Sequence, residues 1–191
     1  MNFPIWVDIL IIAFLGTFAW AGIVAAPWIP IRRKDVDRLL SLAQPKAGEW
    51  LCDLGCGDGR ILVRAAQQYQ VRGVGYEISL LPYLLCWSRI WLSRVWPGVT
   101  VRYRNFYHQT LSQADVVTVF LTPKAMARLG RKFISELKPG ARVVSYAFPI
   151  PDWTPAMVSK PTATSMSIYV YRAWPSEEKI KSGHNKNLQQ H

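Results

Sequence analysis

Residues 51–60 read Leu-Cys-Asp-Leu-Gly-Cys-Gly-Asp-Gly-Arg, a short apolar run ending in an acid and opening into alternating glycines. Such a turn lets the backbone close around a nucleotide-like ligand. Two nucleotide chemistries are testable on spacing alone. A phosphate-cradling P-loop ends in Gly-Lys-Ser/Thr, where this chain has Asp58-Gly59-Arg60. A dinucleotide loop requires a further glycine at the position held by Arg60. An anion at the loop would also meet Asp53 and Asp58, which disfavours a pyrophosphate. A ligand bearing an ammonium and a sulfonium, with no phosphate, suits two carboxylates better. Glu77 ends a second apolar run, Gly-Val-Gly-Tyr-Glu, 24 residues beyond Asp53.

These groups need strands to hold them. Val36, Leu39, Leu40 and Ala43 lie at helical spacing, stopped by Pro45 and Gly48. Residues 49–54 then form a strand and 60–70 a helix. A strand over 71–77 leads into a long aromatic helix over 80–96, closed by Pro97-Gly98. Residues 99–105 alternate like a partly exposed strand, and 114–121 form a continuous apolar strand of the buried parallel kind. A helix over 124–137, interrupted at Gly130, precedes a strand over 141–148, a stiff loop over 148–155, and one or two strands within 158–174. Strand and helix alternate at least four times, so the fold class is α/β, a mostly parallel sheet with helices on both faces. Trp87 and Trp91, four apart, share a helix face. Packing in the core or beside a membrane, and lining a substrate channel, both remain open for them.

The stretch Asp53-Leu54-Gly55-Cys56-Gly57-Asp58-Gly59, with Glu77 behind it, resembles motif I of the class I, seven-stranded S-adenosylmethionine-dependent methyltransferases. The resemblance implies a Rossmann-like seven-stranded sheet and S-adenosyl-L-methionine as cofactor. It implies that Asp53, Gly55, Cys56, Gly57 and Gly59 run under the cofactor's methionine part and that Glu77 bonds the ribose hydroxyls. Many such enzymes place an aspartate after the third strand, facing the adenine. The nearest residue here is Asn105, which could serve the adenine edge or only cap a turn. The Asn/Asp-Pro-Pro-Tyr motif is absent after the fourth strand, which ends Phe120-Leu121-Thr122-Pro123.

Residues 53–66, 74–89 and 115–155 further resemble the membrane-anchored lysine methyltransferases, whose mitochondrial members modify the adenine nucleotide carrier and the membrane-embedded c subunit of ATP synthase. That family implies methyl transfer from S-adenosylmethionine to a lysine side chain of a membrane protein. The chemistry is an in-line displacement, so the protein must align the reactants and hold the amine uncharged. A free lysine, with a pKa of about 10.4, is almost wholly charged at pH 7. An aromatic slot lowers that pKa by desolvation. Phe120, Thr122, Pro123, Phe148, Pro151 and Trp153 are the residues expected around it, on loops after the fourth and fifth strands. Thr122 would orient the amine and Trp153 would offer a ring face. Trp153 as a lid over the core, and the prolines as stiffeners, are the plain alternatives. Cys56 needs no nucleophilic role and fills space. Alanine at position 77 is expected to remove cofactor binding and leave the fold intact.

The rest of the chain sets the context. Ile9–Ile31 is an uncharged run of 23 residues, followed by Arg32-Arg33-Lys34. A signal peptide would want a basic start and a shorter core, and a buried helix is usually shorter. The expectation is therefore a transmembrane anchor over residues 1–31, in bilayer contact through 5–31, with Asp8 near one end. The basic cluster places a methyltransferase domain of residues 32–174 on the cytoplasmic side of a single-pass protein, before a polar disordered tail at 175–191. A net charge of +11 fits anionic lipid headgroups beside the anchor. Nucleic acid is disfavoured as a partner, since neither metal-finger ligands nor an aromatic–basic sheet pattern appears. Three cysteines, with His108, His184 and His191 remote from them, imply neither a disulfide framework nor a metal site. Rival functions are a small-molecule or lipid methyltransferase and a non-catalytic cofactor-binding scaffold of a membrane complex.

Overall fold

The computed structural model describes residues 4–9, 11–12, 16 and 29–173. The first helix of the body, α1 (Arg33–Ala43), buries Val36, Leu39, Leu40 and Ala43 and ends where Gln44 turns left-handed at φ 46° before Pro45. Then follow β1 (Trp50–Leu54), α2 (Arg60–Tyr69), β2 (Arg72–Glu77), α3 (Leu80–Leu92), β3 (Val99–Tyr103), β4 (Val116–Val119), α4 (Pro123–Glu136), β5 (Arg142–Tyr146), β6 (Met157–Ser159) and β7 (Ile168–Arg172). The seven strands form one sheet in the order β3-β2-β1-β4-β5-β7-β6. Strands β1 to β5 run parallel, while β7 pairs antiparallel with β5 and β6. Strand order reverses at β1, between β2 and β4. A ligand crevice therefore opens at the carboxyl ends of these three strands.

Both faces of the sheet are covered, as expected. One apolar cluster joins Leu39 and Leu40 of α1 with Leu62 of α2, Cys86 and Ile90 of α3 and the sheet residues Leu51, Val116 and Val144. The other joins Met126, Leu129 and Phe133 of α4 with Leu54, Val117, Val143 and Tyr171. In β1 the side chains alternate between the two, which is why this central strand is apolar at nearly every position. Each large side chain so buried contributes about 1.5–3 kcal/mol.

Two expectations about helices are corrected. Helix α3 stops at Leu92, not at residue 96, because Arg94 takes a left-handed φ of 55°. Helix α4 runs through Gly130 uninterrupted. The glycine there makes room, since a Cβ would lie 3.0 Å from Ile150 Cγ2 and 3.4 Å from Trp153 Nε1.

The expected membrane anchor is also corrected. No helix among the described residues is long and apolar enough to cross a membrane. Residues 5–9 and 11–12 are helical, and most of the segment from 13 to 28 lies outside the described residues. The end of the expected span belongs to the folded body. Ile31 is buried in the α1–α2–α3 cluster, its carbonyl accepts a hydrogen bond from Arg60, and Arg33 and Lys34 begin α1 rather than flank a bilayer. The transmembrane helix over 1–31, the bilayer contact through 5–31, the headgroup attraction beside it and the single-pass topology with its cytoplasmic side therefore do not stand. Residues 175–191 lie outside the described residues.

Candidate active site

The loop after β1 is built by backbone hydrogen bonds and close packing. Gly55 and Cys56 both donate N–H groups to the Tyr76 carbonyl, at 2.9 and 3.1 Å, which ties the loop to β2. At Gly59 a side chain is excluded twice over: φ is +73°, and a Cβ would overlap Cys86 Sγ on α3. Gly75 of β2 is equally constrained by space, with a Cβ position 2.6 Å from Cys56 Sγ and 2.5 Å from Leu62 Cδ1. Cys56 thus fills the gap between loop, β2 and α3, its Sγ 3.8 Å from that of Cys86.

Three carboxylates surround the loop, each in a different state. Asp58 is neutralised. Arg60 Nε and Nη2 donate to its two oxygens at 2.8 and 2.7 Å, and Arg89 Nη2 adds a bond at 2.7 Å. Burial alone would raise its pKa, yet the hydrogen bonds and charges of Arg60 and then Arg89 hold it below the usual carboxylate range. The argument from two free carboxylates therefore reduces to one. Glu77 is a tether: Oε2 accepts from Gly57 N at 3.0 Å, and Oε1 from Ile78 N and Ser79 N at 2.8 Å.

Asp53 is the free group. Its Oδ1 accepts a 2.8 Å bond from Thr118 Oγ1, the residue across from it on β4, while Oδ2 is buried without a partner. Burial pushes the carboxyl up to about 7, against the Thr118 hydrogen bond, and the charges of Glu77 and Asp58 add to the rise. A small cavity of about 40 Å³ lies beside it, bounded by Pro30, Ile31, Gly55, Cys56 and Phe120 among others. A buried, unsatisfied acceptor beside an open glycine loop fits the ammonium of S-adenosylmethionine.

The expected acceptor-side residues divide between the two faces of the sheet. Phe120 packs with the α1–α2–α3 cluster, its ring edge-on to Tyr146 at 4.9 Å. Tyr146 in turn donates to Asp35 Oδ2 at 2.9 Å. Phe148 packs with the opposite cluster. Trp153 lies there too, 9 % exposed, edge-on to Phe133 and Tyr171. Thr122 caps α4, accepting from Ala125 N at 3.4 Å, and Pro123 occupies the first turn, where a missing N–H costs nothing. Pro151 is exposed. Asn105 caps a short 3₁₀ turn, Phe106–His108, through a 3.0 Å bond from Tyr107 N. Sequence reasoning missed Thr118, Tyr146 and Asp35. Only Thr118 carried a signal, as the one hydroxyl in the apolar run Val-Val-Thr-Val.

Comparison with known proteins identifies the family. Residues 53–157 match the family model described as the ANTKMT methyltransferase domain. A protein-lysine N-methyltransferase of Saccharolobus islandicus (strain REY15A) is 37% identical over 146 residues, 76% of this chain and 91% of that protein. A mouse lysine N-methyltransferase of the ATP synthase c-subunit is 34% identical over 134 residues, 69% of this chain. The chain spans 53% of that mouse protein's length. Among solved structures, an RNA methyltransferase from Salinibacter ruber in complex with S-adenosyl-L-homocysteine is 31% identical, with a TM-score of 0.74 over 78% of this chain and 95% of that one. The chain is thus a class I S-adenosylmethionine-dependent methyltransferase and belongs to the ANTKMT methyltransferase domain family.

Proposed function

We propose that this enzyme methylates a lysine side chain of a protein, with a membrane protein as the substrate class. The observation that carries the reading is the 37% identity to a protein-lysine N-methyltransferase over 91% of that relative's length. The mouse relatives named for lysine methylation of the ATP synthase c-subunit and of adenine nucleotide translocase point to the substrate class. S-adenosylmethionine, when bound, supplies a methyl group activated by the sulfonium charge. The lysine Nζ forms the new N–C bond as the S–C bond breaks, and its proton leaves to solvent.

The chain's own residues hold and shield. Asp53 fixes the cofactor's ammonium through its unpaired oxygen. Glu77, held by three backbone N–H groups, presents the edge of its carboxylate to the ribose, and the loop from Gly55 to Gly59 carries the methionine part. Asn105, whose Oδ1 caps the turn after β3, would meet the adenine end with its remaining amide N–H groups. On the acceptor side, Phe120 forms an apolar wall backed by Tyr146 that desolvates the amine and favours its neutral form. Thr122 and Pro123 set the direction of the loop after β4, and Phe148 and Trp153 stiffen the turn after β5.

A second reading, methylation of RNA, is favoured by the Salinibacter ruber neighbour and by the net charge of +11. One experiment separates them. Tritiated S-adenosylmethionine is incubated with the enzyme and a total membrane and ribosome extract, and the label is followed through protease, ribonuclease and solvent extraction. Protease-sensitive label recovered as methyllysine after acid hydrolysis supports the proposal. Label lost to ribonuclease or to organic solvent refutes it.

A further inference from the structure

The most exposed apolar feature of the folded body lies away from the cofactor loop. Trp87, Trp91 and Trp96 are 55, 64 and 61% exposed, against expectation for ordinary core packing. With Tyr83, Ile90 and Arg102 they line a groove of about 530 Å³ between α3 and the edge strand β3. Concentrated apolar exposure of this kind marks an interaction surface. We propose that this groove docks an apolar helical segment of the acceptor protein that bears carboxylates beside its apolar stretch. The proposal rests on the protein-lysine reading and adds where the acceptor is gripped.

Charge and shape select this occupant. No acidic residue occurs between Glu77 and Asp115. Of the arginines in that interval, Arg89 is held by Asp58, Arg102 lines the groove, and Arg94 and Arg104 lie within two residues of the ends of α3 and β3. A second copy packed about a two-fold axis would set arginine against arginine with no carboxylate between them. A bilayer presents a flat surface, whereas this one is concave and follows α3 from Tyr83 to Trp91, about 12 Å at 1.5 Å per residue. A helix laid into such a groove buries its apolar face on the tryptophans and sets its acids against the arginines. The groove also leads toward the cofactor. Tyr83 packs on Tyr103 at 5.4 Å, and Tyr103 is the register partner of Glu77.

The test uses the full chain and a synthetic amphipathic peptide of about 14 residues, with a leucine face, flanking glutamates and one lysine. Controls are a sequence-scrambled peptide and a glutamine-for-glutamate peptide. The double variant Trp87→Ala, Trp91→Ala is expected to raise KM for the helical peptide by about tenfold or more. Its kcat, its S-adenosylmethionine affinity and its rate on the scrambled peptide are expected to stay within about twofold of wild type. Arg102→Glu is expected to weaken the glutamate peptide and spare the glutamine one. Unchanged KM in the double variant overturns the proposal. So does loss of sedimentation with phosphatidylcholine–phosphatidylglycerol vesicles while peptide binding persists, or conversion of a dimer to a monomer. If neither peptide is methylated yet calorimetry shows binding that the double variant loses, the groove stands and the lysine reading falls.

Discussion

Asp53→Asn is expected to stabilise the free enzyme at pH 8 and to weaken its grip on the cofactor in the same step. The Asp53 carboxyl is 3% exposed, has one oxygen unpaired and is pushed from 3.8 up to about 7. Because the folded value lies above the unfolded one, the unfolded chain releases this proton first as pH rises. Stability therefore falls between pH 4 and pH 7 and is flat above. About three units at roughly 1.4 kcal/mol each amount to a ceiling on the order of 4 kcal/mol at pH 8, shrinking toward pH 4. Asparagine copies the neutral carboxyl: it keeps the acceptor for Thr118 and leaves one polar atom unpaired, as the neutral acid does. Urea unfolding at pH 5 and pH 8 measures the gap, which should widen at the higher pH. Removing a charge-assisted contact worth about 1.5–3 kcal/mol should cost roughly 10- to 150-fold in S-adenosylmethionine affinity by calorimetry. In the wild type that affinity should drop below pH 7, where the carboxyl is protonated. Equal urea midpoints at pH 8, together with unchanged affinity, would refute the assignment of Asp53 as the unpaired ligand group.

Glu77→Ala would leave the N–H groups of Gly57, Ile78 and Ser79 without their acceptor. It should therefore cost several kcal/mol of stability as well as cofactor binding, at about 1–3 kcal/mol per orphaned donor. Glu77→Gln keeps one acceptor oxygen and turns its NH2 toward the Gly57 N–H, so it should lose only the roughly 1–3 kcal/mol of that one orphaned donor, less than the alanine variant, yet bind cofactor weakly; a Gln variant with full affinity would count against the ribose role. Gly59→Ala should lower stability by about 2 kcal/mol or more, from a left-handed backbone and an overlap with Cys86 Sγ. Adding Cys86→Ala should recover only the overlap part, which a double-mutant cycle in urea would show as coupling. Asp58→Asn should cost roughly 1–2 kcal/mol at pH 7, discounted because Arg60 and Arg89 are 27 and 40% exposed. Since the folded pKa of Asp58 is lowered, its stabilisation is present above pH 4 and lost as pH falls through that lowered value, so the two proteins should converge at acid pH.

The strand–loop–helix unit around the glycines was legible because its constraints are local. A carboxylate at a strand end and glycines where the chain must turn leave marks within ten residues, and the helix pattern of Val36, Leu39, Leu40 and Ala43 is equally local. Long-range packing was not legible. Gly130 looked like a helix break, but the helix needs it so that Ile150 and Trp153, twenty or more residues later, can approach. Trp153 and Phe120 both follow a strand of the same sheet, yet they belong to opposite faces, and nothing in their spacing distinguishes the two. At the end of the apolar run hydropathy does not separate lipid from protein interior, although Ile9, Ile12 and Ile29 within it are exposed. Ile31 in fact packs onto α1 and α2, with its carbonyl taken by Arg60.

The three carboxylates around the loop show how one short stretch supports both fold and chemistry. Were all three free, their mutual repulsion in a buried site would favour protonation and leave no anion for the ligand. Two guanidinium groups absorb the charge of Asp58, and Arg60 also ties the loop to the Ile31 carbonyl. Glu77 spends three of its acceptor sites on backbone N–H groups, including that of Gly57, so the loop is already fixed when the ligand arrives. Asp53 alone of the three is left short of a partner, and a cationic donor both pairs with it and most strongly favours its ionised form. A ligand without a donor at that position would leave the ionised carboxylate buried and unsatisfied, which favours a cationic group at the loop.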